Sequence, residues 1–225
     1  MINDVTYLMD ESLADLAKIH EIQKEMGDTQ TYSQKPLQYR QEREATLRGL
    51  ERQASTYVQL TNSTVEVLKM FTAETKEPFM VPEIVNRFAV MLNHNLEALV
   101  GPRCRNLIVK NPEKYRFDPK HLLSDILQVF LNLSDQGEFA RGVASDERNY
   151  RKELFERAAG IARKSAIKSE DEIEKLRLFV VKVEETKATL ETEEDLGEIP
   201  DDFLGALCSS VAGIRKQADN MSQIL

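Results

Sequence analysis

The sequence predicts an all-α protein without a sheet. Three observations support this: apolar residues recur every three to four positions along most of the 225 residues, Pro and Asp punctuate the pattern where helices begin, and strand signals are nearly absent. The run Leu107-Ile108-Val109 is too short to form a strand without a partner. Successive helices of unequal length, with no repeat of fixed period, fit an irregular helical solenoid.

The N-terminal half is predicted to form three helices. The first carries an apolar stripe to about residue 26 and ends at Gly27-Asp28, where a polar loop runs to Lys35-Pro36. The second ends before Pro78, and the third begins at Pro82 and ends at Gly101-Pro102. The second helix is expected to bury one face, formed by Leu47, Leu50, Ala54, Val58, Val65 and Leu68.

Residues 101–118 are predicted to be a long non-helical connection packed on the core, because Gly and Pro interrupt them repeatedly. Asp118-Pro119 then restarts a helix as N-cap and first residue. This helix is apolar nearly all round, which indicates a central position. Shorter helices are predicted over 137–144 and 152–164, and a long one over about 170–190, which opens on acids that favour the positive end of a helix dipole.

Composition excludes several classes of function. A net charge of −8 and a pI near 5.1 argue against a dominant nucleic-acid role, which needs a concentrated basic face. No apolar run is long enough to insert in a membrane, and the acidic N-terminus does not look like a secretory signal. Two cysteines give neither a disulfide framework nor a zinc site, so an intracellular location is expected.

A search for catalytic chemistry finds no catalytic residue, no cofactor site and no metal site. The glycines form no phosphate-binding motif, and the three histidines stand outside any HExxH or Cys/His pattern. His20 is predicted to be packed and hydrogen-bonded, and His94 to have a structural or surface role. Cys104 lies between two arginines, which could activate a thiol, but no base is close in sequence, so a loop cysteine is the simpler interpretation.

One stretch identifies a family. MLNHNLEALVGPRCRNLIVKNPEKYRFDPKHLLSDILQVFLNL, residues 91–133, resembles the helical core of the ubiquitin chain-elongation factors, the large U-box ubiquitin ligases of the E-four class. The flanks are similar to the neighbouring core helices, so the resemblance covers about residues 1–204. It implies an armadillo-like helical superhelix. It also implies ubiquitin-chain elongation in proteasomal degradation and protein quality control, in cytoplasm and nucleus.

The resemblance further implies partners. These are ubiquitinated substrates and the AAA segregase known as Cdc48 or valosin-containing protein. A ubiquitin-conjugating enzyme is expected to bind only where a U-box is present, and that enzyme carries the acyl-bearing cysteine, so the ligase needs no nucleophile of its own. No nucleic acid and no membrane insertion are expected.

The C-terminal segment departs from the family pattern. The sequence EDLGEIPDDFL matches the family's entrance into the U-box, with Ile199, Pro200, Phe203 and Leu204 as its remnant, but the match fails from Gly205. We therefore predict the core over 1–190, an acidic linker and U-box entrance over 191–204, and a divergent tail without a U-box over 205–225. The start at Met1 likewise predicts that the upstream part of the family core is missing.

Two functional hypotheses follow, besides a generic scaffold unrelated to ubiquitin. In the first, the chain supplies substrate and segregase binding to a ubiquitin-ubiquitin ligase, and is inactive alone because the U-box is missing. In the second, it is a non-catalytic helical adaptor, or a competitor of the full-length ligase.

Overall fold

The computed structural model describes the backbone of residues 2–197 and the side chains of residues 5–192. This part of the chain contains helices and no strand, which confirms the all-α prediction. The α-helices are α1 (Ile2–Gly27), α2 (Thr29–Ser33), α3 (Leu37–Glu74), α4 (Pro82–Val100), α5 (Pro119–Leu133), α6 (Gly137–Ala144), α7 (Lys152–Lys164) and α8 (Glu170–Gly197). The armadillo-like superhelix stays a prediction of the resemblance.

The helix boundaries follow local chemistry. Asp118 caps α5, because its carboxylate accepts hydrogen bonds from the backbone N–H groups of Lys120 and His121 at 3.0 and 3.1 Å. Gly101 ends α4 where the chain passes so close to its own last turn that a Cβ would collide with the Glu97 carbonyl oxygen. The predicted bounds of α4, α6 and α7 are confirmed.

Helices α1 and α3 pack along each other and form the first layer of the core. The apolar stripe of α1 is buried against α3, and Thr61 of α3 donates a hydrogen bond to the Leu8 carbonyl oxygen at 3.1 Å. Thr61 and Thr72 are themselves buried on the inward face of α3. The apolar positions of this layer are Val5, Met9, Leu13, Leu16, Ile19, Ile22, Ala54, Val58, Val65 and Leu68.

A cluster of phenylalanines joins the following helices. Phe130 of α5 has no exposed surface, and its ring centroid lies 5.1 Å from that of Phe155 in α7 and 5.8 Å from that of Phe139 in α6. Phe139 stacks in turn on Phe179 of α8, with centroids 5.6 Å apart. The predicted central position of α5 is therefore confirmed.

The connection over residues 101–118 contains two 3-10 segments, Pro102–Leu107 and Pro112–Tyr115, and packs on α1 and α3. Tyr115 is fully buried, donates to Glu51 Oε1 at 3.0 Å and accepts from Gln23 Nε2 at 3.3 Å. Burial and the hydrogen bond to Glu51 raise the pKa of Tyr115 to about 12. The connection is thus held by specific contacts, as its sequence predicted.

Three sequence predictions were wrong in detail. The polar loop after Gly27 contains the short helix α2, which Asp28 caps by accepting from the Thr31 N–H at 3.3 Å. Leu47 and Leu50 are only half-buried, since the inward face of α3 begins at Ala54. Helix α8 continues past the predicted end at Leu190 to Gly197, because its acidic run has no Pro or Gly before that residue.

The contacts divide the chain into two units, Met1–Glu184 and Glu185–Leu225. The first unit contains α1 to α7 and the first half of α8. Of the second unit, the structure describes residues 185–197, which are helical. Among the residues described, no helix combines the length and apolar character needed to cross a membrane.

Candidate functional site

The predicted U-box entrance cannot be placed. Ile199, Pro200, Phe203 and Leu204 lie outside the described residues, as do the tail over 205–225 and Cys208. The domain boundaries at residues 190 and 204 therefore stay predictions.

The histidines and Cys104 are distributed over the structure. His20 Nδ1 contacts the Ile108 carbonyl oxygen, which confirms the prediction of a hydrogen-bonded residue. His94 Nε2 lies 2.9 Å from Asp10 Oδ1, so it links α4 to α1 at the surface. Cys104 is half-buried in the 3-10 segment after α4. Among the side chains described, those of residues 5–192, no three or more His, Cys, Asp or Glu are arranged for a metal ion.

One concave surface of the first unit is an open groove of about 840 Å³. Its floor is one face of α4, one wall is the N-terminal half of α1, and the other wall is the connection between α6 and α7. Because arginines dominate its lining, we call it the arginine groove. Its charged members are Arg87, Arg103, Arg148, Arg151, Asp10, His94, Glu97 and Asp146.

A buried polar cluster lies at the base of the arginine groove. Asp146 Oδ2 accepts from Asn93 Nδ2 at 3.1 Å, and the two oxygens of Asp146 accept from Asn149 Nδ2 at 3.0 and 3.1 Å. The exposed fractions are 1% for Asn93, 6% for Asp146 and 9% for Asn149. Amide donors from two elements therefore satisfy a carboxylate that burial would otherwise penalise.

Asp146 also shapes the wall that carries the arginines. Its carboxylate accepts from the Asn149 N–H at 3.2 Å, and its carbonyl oxygen accepts from the Tyr150 N–H at 2.9 Å. These bonds fold residues 146–150 into a tight turn, after which Arg151 occupies the N-cap position of α7. Since Asn93 ties the turn to α4, the backbone positions of Arg148 and Arg151 are fixed by the core.

The rim of the arginine groove carries positive charge. The acids in the lining are each held by a neighbour within the groove or its base: Asp10 by His94 at 2.9 Å, Glu97 by Arg103 at 3.3 Å, and Asp146 by its asparagines. Within the part of the chain that the structure describes, Arg148 and Arg151 are exposed and form no ion pair. The rim is thus basic in a chain whose net charge is −8.

Sequence reasoning missed this groove because its residues come from three separate segments. The available signal was local: Asn93 and Asn95 interrupt an otherwise apolar helix face in LNHNLEAL, and both are buried. Polar residues at core positions usually serve a buried hydrogen-bond network or a site. The second segment, SDERNYR, combines a turn-forming Asp with two arginines.

Comparison with known proteins identifies the family. The family model described as "Ubiquitin elongating factor core" matches residues 1–184. The chain is 47% identical over 212 residues to "Ubiquitin conjugation factor E4" of Schizosaccharomyces pombe, a match that covers 94% of this chain and 21% of the relative. It is 41% identical over 216 residues to "E4 ubiquitin-protein ligase UFD2" of Saccharomyces cerevisiae, covering 94% and 22%, respectively.

A plant protein with a similar name is also similar to this chain. "Probable ubiquitin conjugation factor E4" of Arabidopsis thaliana is 36% identical over 208 residues, which cover 91% of this chain and 20% of that protein. The chain therefore spans about a fifth of the length of the curated relatives it matches. Since the family model covers residues 1–184, all of α1 to α7 and half of α8, the chain belongs to the ubiquitin elongating factor core family.

Proposed function

We propose that this chain acts as the helical core of a ubiquitin-chain elongation factor in ubiquitin-dependent proteasomal degradation. The observation that carries the proposal is the family match over residues 1–184, together with relatives named as ubiquitin conjugation factors and as a ubiquitin-protein ligase. The proposed reaction is ubiquitin transfer of the U-box type, in which the conjugating enzyme carries the reactive cysteine.

In this proposal the described chain binds partners and does not perform the transfer. Its partners are ubiquitinated substrates and the AAA segregase, valosin-containing protein, in the cytoplasm and nucleus. Docking of a conjugating enzyme needs a U-box, whereas the family model that matches residues 1–184 describes the elongating factor core. The arginine groove supports a binding role because it is an ordered concave surface built on the rigid core.

A reconstituted ubiquitination reaction tests whether the chain alone can elongate ubiquitin chains. Activating enzyme, conjugating enzyme, ubiquitin and ATP are incubated with this chain, with a full-length relative, or with neither. We expect the chain alone to form no more ubiquitin chains than the reaction without ligase. Chain formation above that background would contradict the proposed inactivity.

A second experiment separates the ligase core from a competitor. Excess chain is added to the reaction that contains the full-length relative and a ubiquitinated substrate. If the chain binds the substrate or the segregase, chain elongation should fall, and pull-down at micromolar concentration should recover the bound partner. Unchanged elongation together with no recovered partner would contradict the binding role.

A further inference from the structure

We propose that the arginine groove is a binding site for an acidic peptide segment that carries carboxylates beside an apolar side chain. The inference rests on the proposed role of the chain in partner binding, and it names the chemistry of one partner segment. Arg148 and Arg151 lie on the same wall and are exposed. Arginine is suited to this task because its planar guanidinium binds a carboxylate through two parallel hydrogen bonds.

The electrostatics of the groove favour an anionic ligand. Its acids are already engaged: His94 holds Asp10, Arg103 holds Glu97, and the amides of Asn93 and Asn149 hold Asp146. An incoming carboxylate therefore meets the two unpaired guanidinium groups of Arg148 and Arg151 at the rim. Neither guanidinium has an ion-pair partner in the described chain, so a ligand carboxylate would not have to displace one.

The backbone turn that carries Arg148 is held in place before any ligand binds. The turn that carries Arg148 is fixed by three hydrogen bonds to the Asp146 carboxylate from Asn149 and one from Asn93. A preorganised wall lowers the entropic cost of binding compared with a mobile loop. This buried support distinguishes the groove from a chance cluster of surface arginines.

The floor of the groove explains why a peptide is a better ligand than a nucleic acid or a small anion. Val90 of α4 lines the floor and is 41% exposed, so an apolar side chain can cover it. A volume of about 840 Å³ lies in the range of sites that hold molecules much larger than phosphate. The net charge of −8 would repel the continuous backbone charge of a nucleic acid.

The test is direct binding to the whole chain, measured by fluorescence anisotropy. The probe is a short fluorescein-labelled peptide in which pairs of Asp and Glu alternate with Leu. The variant Arg148→Gln/Arg151→Gln should bind the peptide more weakly, because each arginine loses a charge-assisted hydrogen bond to a carboxylate. Each such loss should weaken binding roughly tenfold. The matched control is Arg48→Gln/Arg52→Gln, which removes the same charge from exposed positions of α3 outside the groove and should leave binding unchanged.

The site is also predicted to need its apolar floor and to respond to salt. Val90→Asp should weaken binding of the peptide, and added NaCl should weaken it further because the rim charges are exposed. Thermal melting of each variant checks that it is folded. A peptide with Ser in place of Leu should bind less tightly than the Leu peptide.

Several results would overturn the proposal. These are the absence of saturable binding, an equal loss in both double-arginine variants, and competition by inorganic phosphate as effective as by unlabelled peptide. Tighter binding of a single-stranded oligonucleotide through the same arginines would assign the groove to nucleic acid instead. Because the readout contains no ubiquitin, peptide binding can fail while the proposed function stands, and can succeed while chain elongation fails.

Discussion

Asn93 on α4 donates a hydrogen bond from Nδ2 to Asp146 Oδ2 at 3.1 Å, and this contact joins the floor of the arginine groove to its wall. The same amide reaches the Val143 carbonyl oxygen at 3.4 Å. Both side chains are buried, and the asparagine precedes the aspartate by 53 residues. Asn93 therefore holds α4 against both the end of α6 and the turn that follows it.

The variant Asn93→Ala should destabilise the protein by about 1–3 kcal/mol, because the buried carboxylate of Asp146 loses a donor. Urea unfolding measures the change. Asp10→Ala is the control, since Asp10 forms only a half-exposed pair with His94 and should contribute less than about 1 kcal/mol. Equal effects of the two variants would show that the buried contact is no more important than the surface one.

The phenylalanine cluster is predicted to dominate the core. Phe130→Ala should cost about 3–5 kcal/mol and Leu127→Ala about 2–5 kcal/mol, because both side chains are fully buried and leave a cavity. Leu131→Ala, at a half-buried position of the same helix, should cost less. Thermal melting tests the order, and a shift within error for Phe130→Ala would mean that α5 is not central.

The end of α7 contains a strained residue that a single substitution can relieve. Ala166 has φ of 51°, in the left-handed region, and the Ile167 N–H donates to the Ala162 carbonyl oxygen at 3.0 Å. Glycine is favoured at this position of such a cap, so Ala166→Gly should stabilise the protein by about 1 kcal/mol. Ser165→Gly is the control: Ser165 is right-handed, so glycine there should not stabilise. Chemical denaturation of both variants decides the point, and a lower stability of Ala166→Gly would refute it.

Asp15 on α1 is predicted to weaken the fold at neutral pH. It has no exposed surface, neither of its oxygens has a hydrogen-bond partner in the described chain, and the Lys18 ammonium lies 3.6 Å away. Burial raises the pKa of Asp15, and Lys18 opposes that shift only in part. A raised pKa means that the contribution of Asp15 to stability is fully present below its unfolded pKa of about 4. That contribution is lost as the pH rises through the folded pKa.

The variant Asp15→Asn should therefore gain about 1 kcal/mol of stability at pH near 7, where the unfolded carboxylate is charged and burial penalises that charge. The gain should shrink towards zero as the pH falls below about 4, where Asp15 is protonated in both states. Urea unfolding across this pH range measures the difference. Glu21→Gln, an exposed carboxylate on α1, is the control. A gain that does not depend on pH would show that the charge of Asp15 is not the cause.

Helix ends that are set by nearby capping residues, prolines or glycines could be predicted from the sequence. Asp118-Pro119 defines the start of α5, and Gly101-Pro102 the end of α4, because caps and prolines act over a few residues. The extension of α8 beyond Leu190 carries no such signal before Gly197. The groove could not be predicted, since Asn93 and Asp146 meet only through the packing of α4 on α6.

The connection after α4 provides the last prediction, because its contacts indicate that it is ordered, as its sequence predicted. The Lys110 N–H donates to Gln23 Oε1 at 2.6 Å, and the Phe117 N–H donates to the Pro112 carbonyl oxygen at 3.1 Å. Asn62 of α3 also donates to the Arg116 carbonyl oxygen at 3.1 Å. Amide hydrogen exchange should thus be slow at Lys110 and at Phe117.

Gln23→Ala should raise the exchange rate at Lys110, because that amide loses its acceptor, and should leave Phe117 slow, because its bond is internal to the connection. The comparison uses the same sample and so controls for global stability. Fast exchange across residues 101–118 in the wild type would mean that the connection opens independently of α1 and α3. If Phe117 instead loses protection together with Lys110, the connection unfolds as one unit held mainly by Gln23 and its neighbours on α1.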